Sequence, residues 1–120
     1  MAFLISLCTL FLYPNQQDGI SFEGKWENTR SKISYEFKSN GKLIFEQNGI
    51  PVYVNEVTFE AGDPIKARFT LKQGNMTLII PALIKVIDEE TIWIEQFAPG
   101  ENPTEFSQRD HMKHVLKKTK

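Results

Sequence analysis

With 120 residues, 41% of them hydrophobic and 24% charged, the chain has the make-up of one globular domain and is too short for two cores. A net charge of −1 with both signs intermixed leaves no basic face of the kind that nucleic-acid binding requires. The single cysteine, Cys8, excludes an intramolecular disulfide and a cysteine-based metal site.

The first element in chain order is apolar. Ala2 to Leu12 (AFLISLCTLFL) is too short to span a bilayer as a helix, which needs about 20 apolar residues. Its length suits the apolar part of a secretory signal peptide, and Tyr13-Pro14-Asn15-Gln16-Gln17-Asp18-Gly19 ends it with turn formers. No Lys or Arg precedes the run and no A-x-A-like site follows it, so the reading is of a signal peptide short of its basic start. Residues 1–21 then stand apart from a domain at 22–120, and the protein is secreted or periplasmic. Two alternatives place it elsewhere. Cys8 could carry a lipid anchor, although bulky Leu7 sits where such a motif wants a small residue. The segment could instead pack on the domain as an extra strand or helix, in a cytoplasmic protein.

From Phe22 onward the hydrophobic period is two. A strand opens at Phe22–Trp26, and Ile33, Tyr35 and Phe37 alternate with Ser34, Glu36 and Lys38. Asn40-Gly41 turns the chain into Lys42–Glu46, with Leu43 and Phe45 inward, and Asn48-Gly49 breaks that strand. Pro51–Phe59 resumes, Ala61-Gly62-Asp63-Pro64 turns, and Ile65–Lys72 follows with Ala67, Phe69 and Leu71 on one side. After Gln73-Gly74-Asn75 comes Met76–Ile80, which Pro81 should close. Leu83–Ile87 and Thr91–Phe97 flank the acidic turn Asp88-Glu89-Glu90; Pro99–Arg109 is irregular; His111–Lys118 is the last strand. Lys113, Lys117, Lys118 and Lys120 make this end locally basic, as a solvated strand and tail would. About eight or nine short strands with frequent turns make an all-β, antiparallel up-and-down meander, and closure into a barrel removes its exposed edges.

Catalytic signals are weak. His111 and His114 lie three apart, which on a strand sets them on opposite faces, unsuited to sharing a metal. Ser107, Asp110 and His111 are adjacent in sequence only, which is no evidence for a catalytic triad. Asp88-Glu89-Glu90, Glu56 and Glu60 read as solvated carboxylates. No phosphate loop, dinucleotide fingerprint or nucleophile elbow is present, so neither an enzyme nor a cofactor is expected.

Gly24-Lys25-Trp26 on the first domain strand, with the later run Ile84–Ile94, resembles the small bacterial lipocalin-like domains. The resemblance implies a barrel sealed at one end, with Gly24 letting the strand bend and Trp26 as the plug. In larger lipocalins an Arg of the last strand packs over that Trp; the candidates here are Lys113, Lys117 and Arg109. A Thr-Asp-Tyr motif is not evident, and Thr29-Arg30-Ser31 is too short for the helical pair of fatty-acid-binding proteins. The inward set is Trp26, Tyr35, Phe37, Leu43, Phe45, Phe69, Leu71, Leu78, Ile92 and Ile94. If it leaves a space for a small hydrophobic ligand, Tyr35, Phe37, Phe45, Phe69, Leu78 and Ile94 would line it, with Tyr35 as the polar handle. So many large side chains also suit a filled core with no ligand. On the opposite face, Trp93 and Phe97 would form a docking or homodimer patch unless the Pro99–Arg109 loop or the N-terminal segment covers them. The export reading predicts a mature N-terminus beyond Leu12. Peptide sequencing of protein from the native host checks it, and a start at Met1 contradicts it.

Overall fold

Among the described residues nine strands follow one another: β1 (Gly24–Asn28), β2 (Ile33–Phe37), β3 (Leu43–Gln47), β4 (Ile50–Val54), β5 (Glu56–Glu60), β6 (Ile65–Gln73), β7 (Met76–Asp88), β8 (Thr91–Gln96) and β9 (Lys113–Lys118). The structure, a computed structural model, describes residues 21–107 and 113–119. The apolar run with Cys8, and Arg109, Asp110 and His111, therefore lie outside the described residues. Among the described residues there is no helix. All strands join one antiparallel sheet in the order β4-β3-β2-β1-β9-β8-β7-β6-β5, a meander closed on itself by the pairing of β1 with β9. The protein is an all-β, nearly closed barrel.

The two end strands of that sheet, β4 and β5, are halves of one stretch. The sequence reads Pro51–Phe59 as a single strand, and the structure breaks it at Asn55. Residues before the break pair with β3 and residues after it pair with β6. Asn55 holds the seam. Its backbone N–H donates to Thr70 O (2.8 Å), and its side-chain oxygen accepts from Lys72 N (2.7 Å). Below it, Val57 N donates to Gly41 O (2.8 Å), tying β5 to the turn between β2 and β3.

β3 and β4 are joined by Asn48-Gly49, with φ of 53° and 82°. Two positive φ values give the two-residue turn whose twist matches its strands. Such a turn makes Gln47 and Ile50 a hydrogen-bonded pair. Pro51, one residue on, turns its nitrogen away from β3 and toward the seam, where no ladder bond is lost.

A second departure concerns Pro81, expected to close a strand at Ile80. Instead Met76–Ile80 and Leu83–Ile87 are one continuous strand, β7. The Pro81 carbonyl accepts from Phe97 N (2.8 Å), just past the end of β8, and its nitrogen faces the same side. The ladder between β6 and β7 therefore loses no donor.

Alternating connections put the β2–β3, β5–β6 and β7–β8 turns at one end, with residues 21–23 and the end of β9. The β1–β2, β3–β4 and β6–β7 turns lie at the other. The first end is closed by aromatic rings. Phe22 lies 6.3 Å from Trp26, 5.9 Å from Phe37 and 5.3 Å from Phe59, and Trp26 Nε1 donates to Phe22 O (2.9 Å). Above them Ile84, Ile92, Ile94 and Leu116 are buried. Each buries apolar surface worth about 1.5–3 kcal/mol.

Gly24 has φ +122°, and a Cβ there would lie 3.0 Å from Lys118 Cε, whose ammonium sits 5.5 Å from the Trp26 ring. The covering cation is thus Lys118, not Lys113 or Lys117. Lys118 can swing aside, but the backbone cannot take that φ with an L side chain without strain. Gly24→Ala is expected to cost about 1–3 kcal/mol, read as a lower urea midpoint with an unchanged slope.

Candidate functional site

Side chains pointing inward follow from the registers: residues 33, 35 and 37 of β2 meet 47, 45 and 43 of β3, 92 and 94 of β8 meet 116 and 114 of β9, and 96 of β8 meets 82 of β7. One polar cluster interrupts this apolar lining. Tyr35 is wholly buried; its hydroxyl lies 2.9 Å from His114 Nδ1 and accepts from Gln96 Nε2 at 2.8 Å. The ring of Tyr35 is set by Phe45 (4.8 Å between centroids), Phe69 (6.4 Å) and Phe37 (6.3 Å), and His114 stacks parallel to Phe45 at 6.3 Å. Burial pushes the Tyr35 phenol well above its ordinary range, with the Gln96 hydrogen bond opposing. It is a fixed hydrogen-bonding group, not an acid or base near neutral pH.

Tyr35, Phe45 and Phe69 come together around this cluster. Ile94 is buried beside it, paired with His114 on β9. Phe37 also belongs to the sealed end, 6.1 Å from Phe59. Leu78 is not in the interior: it is 44% exposed. β6 and β7 outrun their neighbours, since β5 reaches only Thr70 and β8 only Ala82. Leu71, Leu78, Gln73 and Met76 therefore sit on a two-stranded ribbon standing above the mouth, and Met76 near its tip is 76% exposed.

His114 is the residue that sequence reasoning missed, weighed there only as a metal ligand beside His111. The signal that could have found it is the alternation that points Leu116 inward and hence His114 as well. Glu95 was also missed. It is fully buried on the outer face, where its carboxylate accepts from Ser107 N (3.0 Å) and Ser107 Oγ (2.5 Å). Those bonds draw residues 97–107 across the outside of β8. Trp93 is covered accordingly: Phe106 meets it edge-on at 6.2 Å, and Lys113 Nζ lies 3.8 Å from the ring centroid. Of the two arrangements open from the sequence, the loop covers Trp93. Asp88 stays exposed in its turn, where the Glu90 N–H holds its carboxyl below the usual range.

Clefts lie on the outer surface and at the sealed end, where one is lined by Phe22, Phe37 and Phe59 among others. One of 640 Å³ lies between the β5–β7 face and residues 100–103, lined by Glu60, Lys66, Arg68 and Glu101 among others, with charges of both signs. Among the described residues no group of three or more His, Cys, Asp or Glu side chains could hold a metal ion, and no helix is long and apolar enough to cross a membrane. No family model, curated protein or solved structure matches the chain.

Removing the Tyr35 hydroxyl leaves the Gln96 and His114 groups without their shared partner. Tyr35→Phe is expected to cost about 1–3 kcal/mol, measured by urea unfolding. A pH effect follows from His114, which burial holds below the ordinary value of 6.5 against the opposing charge of Glu95. Unfolded chain takes up this proton first as pH falls through 6.5, so stability declines below that pH until the folded value is passed. Near neutrality the loss is absent. His114→Gln keeps an acceptor for Tyr35 and should flatten this part of the acid decline in unfolding curves at about pH 5 to 7.5.

Proposed function

We propose that this barrel is a non-enzymatic binding protein that holds a small, largely apolar molecule at its mouth. The carrying observation is the Tyr35–His114–Gln96 cluster: a polar floor within an apolar lining, at the end away from the aromatic plug. Phe45 packs against Tyr35 and His114, half-buried Leu71 and Ile80 pack on the same core, and Leu78 and Met76 continue the apolar face above. Sites for small molecules have this make-up, mainly apolar with a few convergent polar groups. Because Tyr35, Phe69, Leu43 and Ile94 fill the middle of the barrel, the occupant sits shallowly, its apolar body against the ribbon. The resemblance carried by Gly24-Lys25-Trp26 to lipocalin-like domains favours the same reading, and the apolar residues before Leu12 favour work outside the cytoplasm.

The test is native mass spectrometry of the purified protein against its denatured mass, followed by solvent extraction. The expected result is an added mass that extraction recovers as a lipophile and that Phe45→Ala diminishes. A clean apo mass, unchanged after incubation with fatty acids, fatty alcohols and sterols, would favour the second reading, a filled barrel serving as an interaction module. Exposed Ile50 and Tyr53 on β4 would then be where a partner is sought.

A further inference from the structure

The hydrogen bonds of the floor specify the head group that the mouth accepts. Gln96 Nε2 donates to the Tyr35 oxygen, and His114 Nδ1 is the other group bonded to this wholly buried hydroxyl among the described residues, so the arrangement that leaves no buried proton unmet sends the Tyr35 proton to His114 Nδ1. With Nδ1 accepting, the imidazole is neutral and carries its own proton on Nε2. Neither His114 Nε2 nor Gln96 Oε1 has a protein partner among the described residues. The floor thus offers one unfilled donor and one unfilled acceptor, on neighbouring strands.

Among the described residues, the inward rows set no charged side chain beside them. Across the described inward rows the ionisable residues are Tyr35, His114 and Lys118, and Lys118 lies at the sealed end over Trp26. Among the described residues His114 packs with Tyr35, Phe45 and Ile94, and Gln96 bonds to the same Tyr35 hydroxyl. The nearby charges, Glu95 and Lys113, are committed on the outer face to Ser107 and to the Trp93 ring. A carboxylate placed here would face the Gln96 oxygen with no cation to offset its desolvation. An ether would fill the donor and leave the acceptor bare.

Resting on the reading of the mouth as a binding site, we infer that its ligands carry an uncharged group that both donates and accepts, a hydroxyl on an apolar body, with His114 Nε2–H donating to the hydroxyl oxygen and Gln96 Oε1 accepting its proton. With no cation in the described inward rows beside the cluster to offset its charge, a fatty-acid anion is expected to bind more weakly.

Calorimetry on the full chain at about pH 8 compares decanol, the ether methoxynonane and decanoate, with native mass spectrometry giving stoichiometry. Decanol is expected to bind about tenfold or more tighter than either of the others. Gln96→Met, which keeps the shape and removes the acceptor, should bring alcohol and ether together. His114→Phe removes the donor that both oxygens use, so it should weaken alcohol and ether alike and leave the difference between them, with near-ultraviolet circular dichroism reporting that each variant keeps its packed core. Equal affinities for alcohol and ether in the unaltered protein, or tightest binding of decanoate, overturn the head-group assignment while leaving the mouth site standing. Failure of all three probes to bind overturns the site itself.

Discussion

A meander laid out as one sheet has two end strands, and in this protein a single stretch of chain supplies both. Ile50–Val54 belongs to β3 and Glu56–Glu60 to β6, so Asn55 must satisfy backbone groups of β6 that neither half reaches. The circumference of the barrel, and hence which side chains meet inside it, depends on that residue. Bringing β6 round to β4 sets Phe69 within 6.4 Å of Tyr35, a ring contributed from across the sheet. The polar floor is downstream of the seam.

The interior is graded from one end to the other. Four aromatic rings and the Lys118 stem seal the end where β1 begins, leaving the indole satisfied by a carbonyl. Aliphatic side chains from β7, β8 and β9 fill the middle. At the far end a phenol, an imidazole and an amide satisfy one another in a chain. Buried polar groups are tolerated only when paired. The phenol has both of its partners, whereas the imidazole and the amide each keep one function without a partner among the described residues. That asymmetry separates a structural hydrogen bond from a recognising one.

The fold was readable in the sequence because successive side chains of a strand face the interior and the outside in turn, which imprints a period of two. Ile33-Ser34-Tyr35-Glu36-Phe37 carries it plainly, although loop and neighbours bury much of the outer face of β8 as well. What was not readable was which strands continue through an interruption. Pro81 looks like a terminator but faces away from β6, while Asn55 has no breaker signature yet divides a strand, because its role is set by a residue on β6. Nine strands result either way, one gained and one lost. Leu78 follows the inward alternation correctly; the alternation cannot say that β6 and β7 outlast their neighbours. The site was half readable. Tyr35 stands out as the polar member of an inward row, but its pairing with His114 joins positions 79 residues apart.

Pro51 has a consequence for how the molecule behaves when the seam parts. A breathing motion at Asn55 would bare β4 as a free rim, and a bare rim is a template on which a second copy can lay down a matching strand. Of the groups that β4 turns toward the seam, the nitrogen of Pro51 can offer no proton. A copy arriving there meets an interrupted row and finds little to grip. The same residue that costs the closed barrel nothing makes the opened one a poor seed for fibrous polymerisation.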